Sequence, residues 1–405
     1  KKKFKGHYDL GQLIDTRARR RIIGDIVISP MDIVNARVYP DIITVSKSRF
    51  DNHGFPSHDL FTVLRQDRRE TLVGNVPYRA LLPKGYDGIL VTGLGMSAHA
   101  DALPVMRMQR DIENHSHAAG YASAMAAREG TTVRKIDVKQ LQRHLADIGT
   151  IPKELIGAKD SYPLSPERIK EAVTSLGDDY TGIAQILTQP ETAIPLMRKA
   201  YKDADEEAVK LRYAHVLGML RDNIGVETLV QAIAKAKWDK GYNFSGFGNH
   251  QQTTSPLDNL IIALGRTGDR RAVPVLIEKC RHLQVKSEFS HFRAVSMAFE
   301  SIADSRAAEP LARLLRMPDT RGHAFREIHD VIERTPVSKG DNTTRNASLR
   351  ELILARSLYR CGDFKGIGKK TLEAYSNDMR GHYAIHARAI LAESRTGKGM
   401  EALQK

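Results

Sequence analysis

Cysteine is scarce, with only Cys280 and Cys361 in 405 residues. Two thiols cannot build a disulfide framework or a four-cysteine zinc site. Tryptophan occurs once and aromatic residues make up 6%, a thin supply for stacking on single-stranded nucleic acid. No apolar run approaches the roughly 18 residues that span a bilayer. The longest, Gly88-Ile89-Leu90-Val91-Thr92-Gly93-Leu94, has the length of a strand. Residues 1–150 contain no Gly-x-Gly-x-x-Gly turn of the kind that holds a dinucleotide pyrophosphate. The chain opens Lys1-Lys2-Lys3-Phe4-Lys5, with neither an initiator Met nor the apolar core of a signal peptide. We therefore expect the native N-terminus to lie upstream, which leaves the compartment open.

What is present is basic and globular. The 62 Lys and Arg exceed the 48 Asp and Glu by 14, so polyanions are attracted, whatever their kind. The basic residues are dispersed except for Arg17, Arg19, Arg20 and Arg21. Hydrophobic residues at 41% exclude wholesale disorder, and the length allows two or three domains at roughly 150 residues each.

The two parts of the chain differ in texture. Residues 1–150 read as α/β. Ile22–Ile28 and Ile42–Val45 are short and β-branched, as strands are. Gly88–Thr92 reads as a continuous apolar strand buried on both faces of a parallel sheet. A glycine loop leads from it into a helix over 103–128 rich in small residues. A further amphipathic helix is expected over 137–148.

Residues 151–405 read as all-α, with a recurring unit. Leu217-Gly218-Met219-Leu220-Arg221-Asp222 returns as Leu264-Gly265-Arg266-Thr267-Gly268-Asp269, and more weakly at Ile302-Ala303-Asp304 and Leu358–Asp363. Helix pairs at intervals of about 40–47 residues imply an α-solenoid, and these copies resemble HEAT-like repeats.

A series of short motifs carries a second resemblance. In order they are Arg19-Arg20-Arg21-Ile22-Ile23-Gly24-Asp25, Ser29-Pro30-Met31-Asp32, Tyr39-Pro40-Asp41-Ile42-Ile43, Asp51-Asn52-His53 and Val76-Pro77-Tyr78-Arg79-Ala80-Leu81-Leu82-Pro83. Ile89–Gly93, Ser97-Ala98, Arg107-Met108-Gln109 and Ala118-Ala119-Gly120 follow. Together they resemble the C-terminal part of a FAD-dependent oxidoreductase of the fumarate reductase/succinate dehydrogenase type. The resemblance implies the C-terminal part of a FAD-binding Rossmann-type domain with a β-rich substrate portion. It also implies FAD as cofactor and hydride transfer with a small-molecule substrate. The missing glycine motif then implies that another chain, or an upstream segment, supplies the phosphate-binding half.

The resemblance marks the residues of interest. Gly93 would let a cofactor approach the backbone, and a helix starting near Pro104 would offer N–H groups and its dipole to the flavin. Ser97, Arg107, Met108, Gln109 and Gly120 would bind the cofactor. Arg79 would hold a substrate carboxylate, and His53 and His99 would contact substrate or move a proton. Ser116-His117 stand where the family has Gly-Gln, and the family's usual histidine aligns with Ala100, one position after His99. No metal site is expected, because His115 and His117, two apart on a helix, point in different directions.

Two other readings stay open. One is a non-catalytic scaffold with a degenerate flavin-type domain. The other is nucleic-acid binding through Gly366-Ile367-Gly368-Lys369-Lys370-Thr371, which resembles the turn of a helix-hairpin-helix module. The solenoid would dock a partner or a second copy of the chain.

Overall fold

Residues 20–51, 56–63, 71–243, 253–336 and 341–396 are described by the computed structural model. They divide into two units. The first holds residues 20–51 and 71–163, the second 56–63 and 164–396. The short stretch 56–63 thus interrupts the first unit in sequence but belongs to the second. Residues 151–163, helical by sequence texture, group with the first unit. There Arg37 grips Asp160 through two hydrogen bonds of 3.0 Å, and Ser161 takes the Val38 N–H.

In the first unit, Ser29 and Asp32 form a reciprocal capping box that starts α1 (Pro30–Val34), with Pro30 at the position whose N–H needs no partner. Strand β1 (Ile42–Ser48) pairs antiparallel with β2 (Leu72–Pro77), Ser48 facing Leu72 and Ile42 facing Pro77, with an irregularity between Ile42 and Thr44. The intervening helix α2 (Leu60–Val63) lies in the other unit. Helices α3 (Gln109–Arg128) and α4 (Val138–Asp147) pack on β1. Asp137 caps α4 through the Lys139 N–H, and Gln142 reaches back to the carbonyls of Pro40 and Ile42 at 3.1 Å. Ile42, Ile43, Val76, Leu81, Met106, Leu141 and Leu145 are fully buried and form the core.

Three expectations for this unit need correction. The antiparallel pair is the only sheet among the described residues, so no Rossmann-type parallel sheet stands there. Gly88–Thr92 is not a strand and is not buried; Ile89 is 49% exposed. A buried strand needs a ladder on each side. This run instead gives one N–H, that of Val91, to a neighbouring segment at Leu81. The helix expected from residue 103 begins only at Gln109. Leu103–Val105 form a single 3₁₀ turn. Met106 is buried beside Gly74, and Arg107 is anchored on the Asp51 carbonyl at 2.7 Å. Those tertiary anchors outweigh the helical propensity of residues 106–108.

Among the described residues, every regular element of the second unit is a helix. Its helices are α5 (Pro166–Ser175), α6 (Ile183–Thr188), α7 (Pro190–Asp203), α8 (Glu207–Met219), α9 (Val226–Lys235), α10 (Pro256–Arg266) and α11 (Val273–Arg281). They continue with α12 (Phe289–Ile302), α13 (Ala308–Leu315), α14 (Ile328–Arg334), α15 (Thr343–Arg360), α16 (Ile367–Ser376) and α17 (Gly381–Thr396). Helices α8, α10, α12 and α15 stack in sequence as one layer. A second layer runs through α9, α11 and α13. The arrangement is compatible with an α-solenoid.

The repeated sequence explains the repeated turn. Arg221, Gly268, Ala303 and Gly362 all take left-handed backbone, at φ 65°, 69°, 51° and 101°. Each immediately precedes an aspartate. Asp222, Asp269, Asp304 and Asp363 accept backbone N–H groups of the following turn. The first residue of each pair closes one helix and the second opens the next. Two of the four left-handed positions are not glycine, so the pattern is weaker in sequence than in structure.

No described helix is long and apolar enough to cross a membrane.

Candidate functional site

Backbone bonds tie three segments into the frame of the site. Ile22 N–H donates to Gly95, Asp25 N–H to Leu82, Lys84 N–H to Ile23 and Ile28 N–H to Ser97, all within 2.9–3.1 Å. His99 N–H returns to Ile28 at 2.7 Å. Gly24 is required at the closest crossing. A Cβ there would lie 2.8 Å from the Ser97 Cβ, while the Gly24 N–H donates to the Ser97 hydroxyl at 2.9 Å. Gly24→Ala is therefore expected to cost about 1–3 kcal/mol by overpacking. Thermal unfolding would measure it, and an unchanged midpoint would contradict the close approach.

The predicted residues fall into distinct surroundings. Gly93, in left-handed backbone at φ 65°, opens a 3₁₀ turn that packs on α3. Its N–H faces His115 Nδ1 at 3.4 Å, and the Ser116 hydroxyl donates to Thr92 Oγ1 at 3.0 Å. Met108 is the N-cap of α3 and supplies no side-chain cap. Gln109 is exposed and reaches Glu113 at 3.1 Å. Gly120 is exposed, with open space where a side chain would stand. Met108 and Gln109 thus stand at the start of α3 and Gly93 packs on its first turns, while Gly120 lies about three turns further along the same helix.

Other predicted residues are engaged elsewhere. Ser97 is fully buried, and its hydroxyl braces Gly24. Arg107 is nearly buried against Asp51. Arg79 makes a bidentate pair with Asp41 at 3.0 Å, and its own N–H donates to the same carboxylate at 2.9 Å. That hydrogen-bonded partner raises the Arg79 pKa, so the guanidinium stays charged but is locally neutralised. His99 is half-buried, and its Nδ1 accepts the Asp101 N–H at 3.1 Å. In that tautomer the proton rests on Nε2. His53 lies outside the described residues.

Sequence reasoning missed two buried groups on α3. His115 and Asp111 are fully buried, four residues apart, and so lie on one face with Ala118 and Ala122. Burial depresses the His115 pKa to about 4, against the opposing pull of the Met106 backbone. Its imidazole is therefore neutral and available to accept the Gly93 N–H. Burial likewise raises the Asp111 pKa. The shared spacing with the alanine stripe was the signal that these side chains point inward. His117 points the other way, toward His144 at 3.1 Å between Nε2 atoms.

Several large apolar side chains are exposed on this unit. Ile23 is 73% exposed, and Val27, Ile89 and Met108 are exposed as well. The first three lie on or beside the cross-linked segments of the frame.

The turn read as a helix-hairpin-helix has a different occupant. Asp363 takes the N–H groups of Gly368 at 2.6 Å and Lys369 at 3.1 Å. Those are the donors a nucleic-acid phosphate would need, and the carboxylate repels one.

A family model described as FAD dependent oxidoreductase matches residues 2–145, and that family binds FAD. No curated protein matches the chain. A solved complex of CpcE and CpcF of phycocyanin lyase from Nostoc sp. PCC7120 aligns at 19% identity, over 51% of this chain and 89% of that one. Its TM-score is 0.24, too slight a likeness to carry fold or function. The match to a flavin-dependent redox family covers the first unit up to residue 145, together with the stretch 56–63 that groups with the second unit.

Proposed function

We propose that the first unit is the C-terminal part of a FAD-dependent oxidoreductase, completed by another segment that carries the Gly-x-Gly-x-x-Gly turn. The family match over residues 2–145 carries this reading. The exposed Ile23, Val27 and Ile89 support it, because large apolar side chains left in water suit coverage by a further segment. The start of α3 supports it too. Its first N–H groups have no side-chain cap, and a helix N-terminus favours negative charge.

FAD, when bound, supplies hydride exchange with a substrate carbon. The residues at the start of α3, Met108 and Gln109, would hold the ring, and Gly93 and Gly120 would leave room for it. His115 holds the Gly93 turn in place through its unprotonated nitrogen. Arg107 orients the approach to α3 by its anchor on Asp51. His99 would exchange a proton through Nε2. His53 is retained as a proposed substrate contact. Arg79 would bind a substrate carboxylate only by giving up Asp41, so its first role is to secure the start of β1 to the turn after β2.

The second unit would be a HEAT-like solenoid that docks a partner or a second copy. A scaffold without chemistry is the rival reading, favoured by the Arg79–Asp41 clamp and by Ser116-His117. Reconstitution separates the two. The chain co-expressed with a polypeptide carrying the glycine motif should hold FAD and reduce it with substrate or dithionite, while the chain alone should hold little. A complex that forms without flavin would favour the scaffold.

A further inference from the structure

The second unit contains a pocket that the flavin reading does not use. It has a volume of about 530 Å³ and lies between α2, α8 and the start of α10. That is within the range of small-molecule sites, roughly 300–1,000 Å³. Its walls are mostly apolar, with the rings of Phe61 and Tyr242 and the side chains of Leu211 and Leu260. The polar groups are few and specific. Tyr180 hydroxyl and His215 Nδ1 are bonded at 3.0 Å. His215 is only 4% exposed, yet its Nε2 has no hydrogen-bond partner among the described residues, and neither has Asn259 Oδ1.

Unpartnered polar atoms in a buried wall are costly, typically 1–3 kcal/mol each, and are uncommon in native proteins. A bound molecule would remove that cost by offering a donor to Asn259 and a complementary group to His215. The charge of that molecule follows from the lining. Among the described residues, no carboxylate lines the pocket. Arg212 lines it, but its guanidinium is turned to the carbonyls of Leu176 and Gly177, at the C-terminal end of α5, where a cation is already compensated. His215 is uncharged at neutral pH, since burial brings its pKa down to about 4. Among the described residues, neither an anion nor a cation has a free counter-charge there.

We infer that this pocket binds a neutral, flat nitrogen heterocycle with adjacent N–H and C=O groups on one edge, held by Asn259 and His215 between Phe61 and Tyr242. The inference does not rest on the flavin reading: all its residues belong to the second unit, and only Phe61 of those named falls within the matched span 2–145.

The test uses the full chain and pterin, a neutral fluorescent two-ring lactam, with naphthoate as an anion of similar size. Fluorescence anisotropy should give a pterin Kd of about 0.1 mM or tighter and at least tenfold weaker naphthoate binding. His215→Leu should weaken pterin about tenfold. Ala208→Trp places an indole from an exposed position at the pocket, so folding is preserved, and it should abolish binding. Absence of pterin binding would overturn the proposal. So would binding unchanged in Ala208→Trp, which would locate the ligand elsewhere, or naphthoate binding as tight as pterin, which would refute the neutral class.

Discussion

Asp258→Ala should destabilise the helical unit by about 3–5 kcal/mol, the cost of stranding one half of a buried ion pair. Asp258 is fully buried at the start of α10, where it closes a capping box with Ser255 through N–H bonds of 2.9 and 3.1 Å. Its other oxygen meets His291 Nδ1 at 2.7 Å, and His291 Nε2 meets the Asp239 carbonyl at 3.2 Å. One side chain thus starts α10 and ties it to α12. Removing it uncaps a helix and leaves a buried imidazole without its counter-charge. Urea unfolding followed by helical circular dichroism measures the loss. The double variant Asp258→Ala/His291→Ala should cost less than the sum of the singles, because no partner is left stranded. A single-variant loss below about 1 kcal/mol, the value of an ordinary cap, would show that the pair contributes nothing.

The same pair gives stability a signed pH dependence. Burial lowers the His291 pKa, but the hydrogen bond to Asp258 and the charges of Asp258 and Asp239 outweigh it, and the net shift is upward. A raised folded value means that the contribution is fully present below the unfolded value of about 6.5. It is lost as pH rises through the folded value. His215 acts in the opposite sense. Its folded pKa is pressed down to about 4 by burial alone. The unfolded chain therefore takes up that proton first, and stability falls by about 3 kcal/mol as pH drops from 6.5 to 4. His382 and His386, both lowered chiefly by burial, add to that acid limb. Stability of the helical unit should therefore peak near pH 6.5. His215→Leu should flatten the acid side, and Asp258→Ala should flatten the alkaline side. A profile that rises steadily to pH 9 would contradict the assignment for His291.

Gly265→Ala is the second large effect. A Cβ at Gly265 would clash with Ala298 Cα and lie 2.5 Å from Ala298 Cβ. Those are atoms of the facing helix α12, which cannot swing away as a flexible side chain can. Overpacking of this kind costs about 1–3 kcal/mol and occasionally more, and here the backbone itself must move, so the upper end is expected. Gly268, three residues on, provides the contrast. It has open space around it but φ 69°. Its replacement by alanine should cost only the left-handed strain, about 1 kcal/mol. Two glycines in one repeat motif thus serve different physical needs. Equal losses in the two variants would refute the close approach of α10 and α12.

Local signals in the sequence were reliable where the cause was local. Asp137 announces α4, because a cap acts within three residues, whereas the capping box of Ser29 and Asp32 that starts α1 reads in the sequence only as part of a family-like motif. The Leu-Gly-x-x-x-Asp copies announce the turns between helices, since the left-handed residue and the capping aspartate are neighbours. Non-local causes were not legible. Gly88–Thr92 has the composition of a buried strand, but composition does not say whether a neighbouring strand stands beside it. The start of α3 shifts to Gln109 because Asp51 holds Arg107 across 56 residues of sequence. Arg79 looks like a free anion-binding residue until the pairing of β1 and β2 brings it to Asp41, 38 residues away. Of the candidate site, the glycine turn leading to a helix could be read from spacing. The neutral His115 beneath it could not, because its protonation depends on packing around the whole helix.

The central claim is that the first unit completes a flavin site together with a segment bearing the glycine motif. Purification from the native source, with an absorbance spectrum and mass spectrometry of every co-purifying chain, tests it most directly. The account predicts flavin bands that travel with a polypeptide containing Gly-x-Gly-x-x-Gly and disappear when the two are separated. Stoichiometric FAD on the chain alone, or a stable complex with such a polypeptide that carries no flavin, would contradict it.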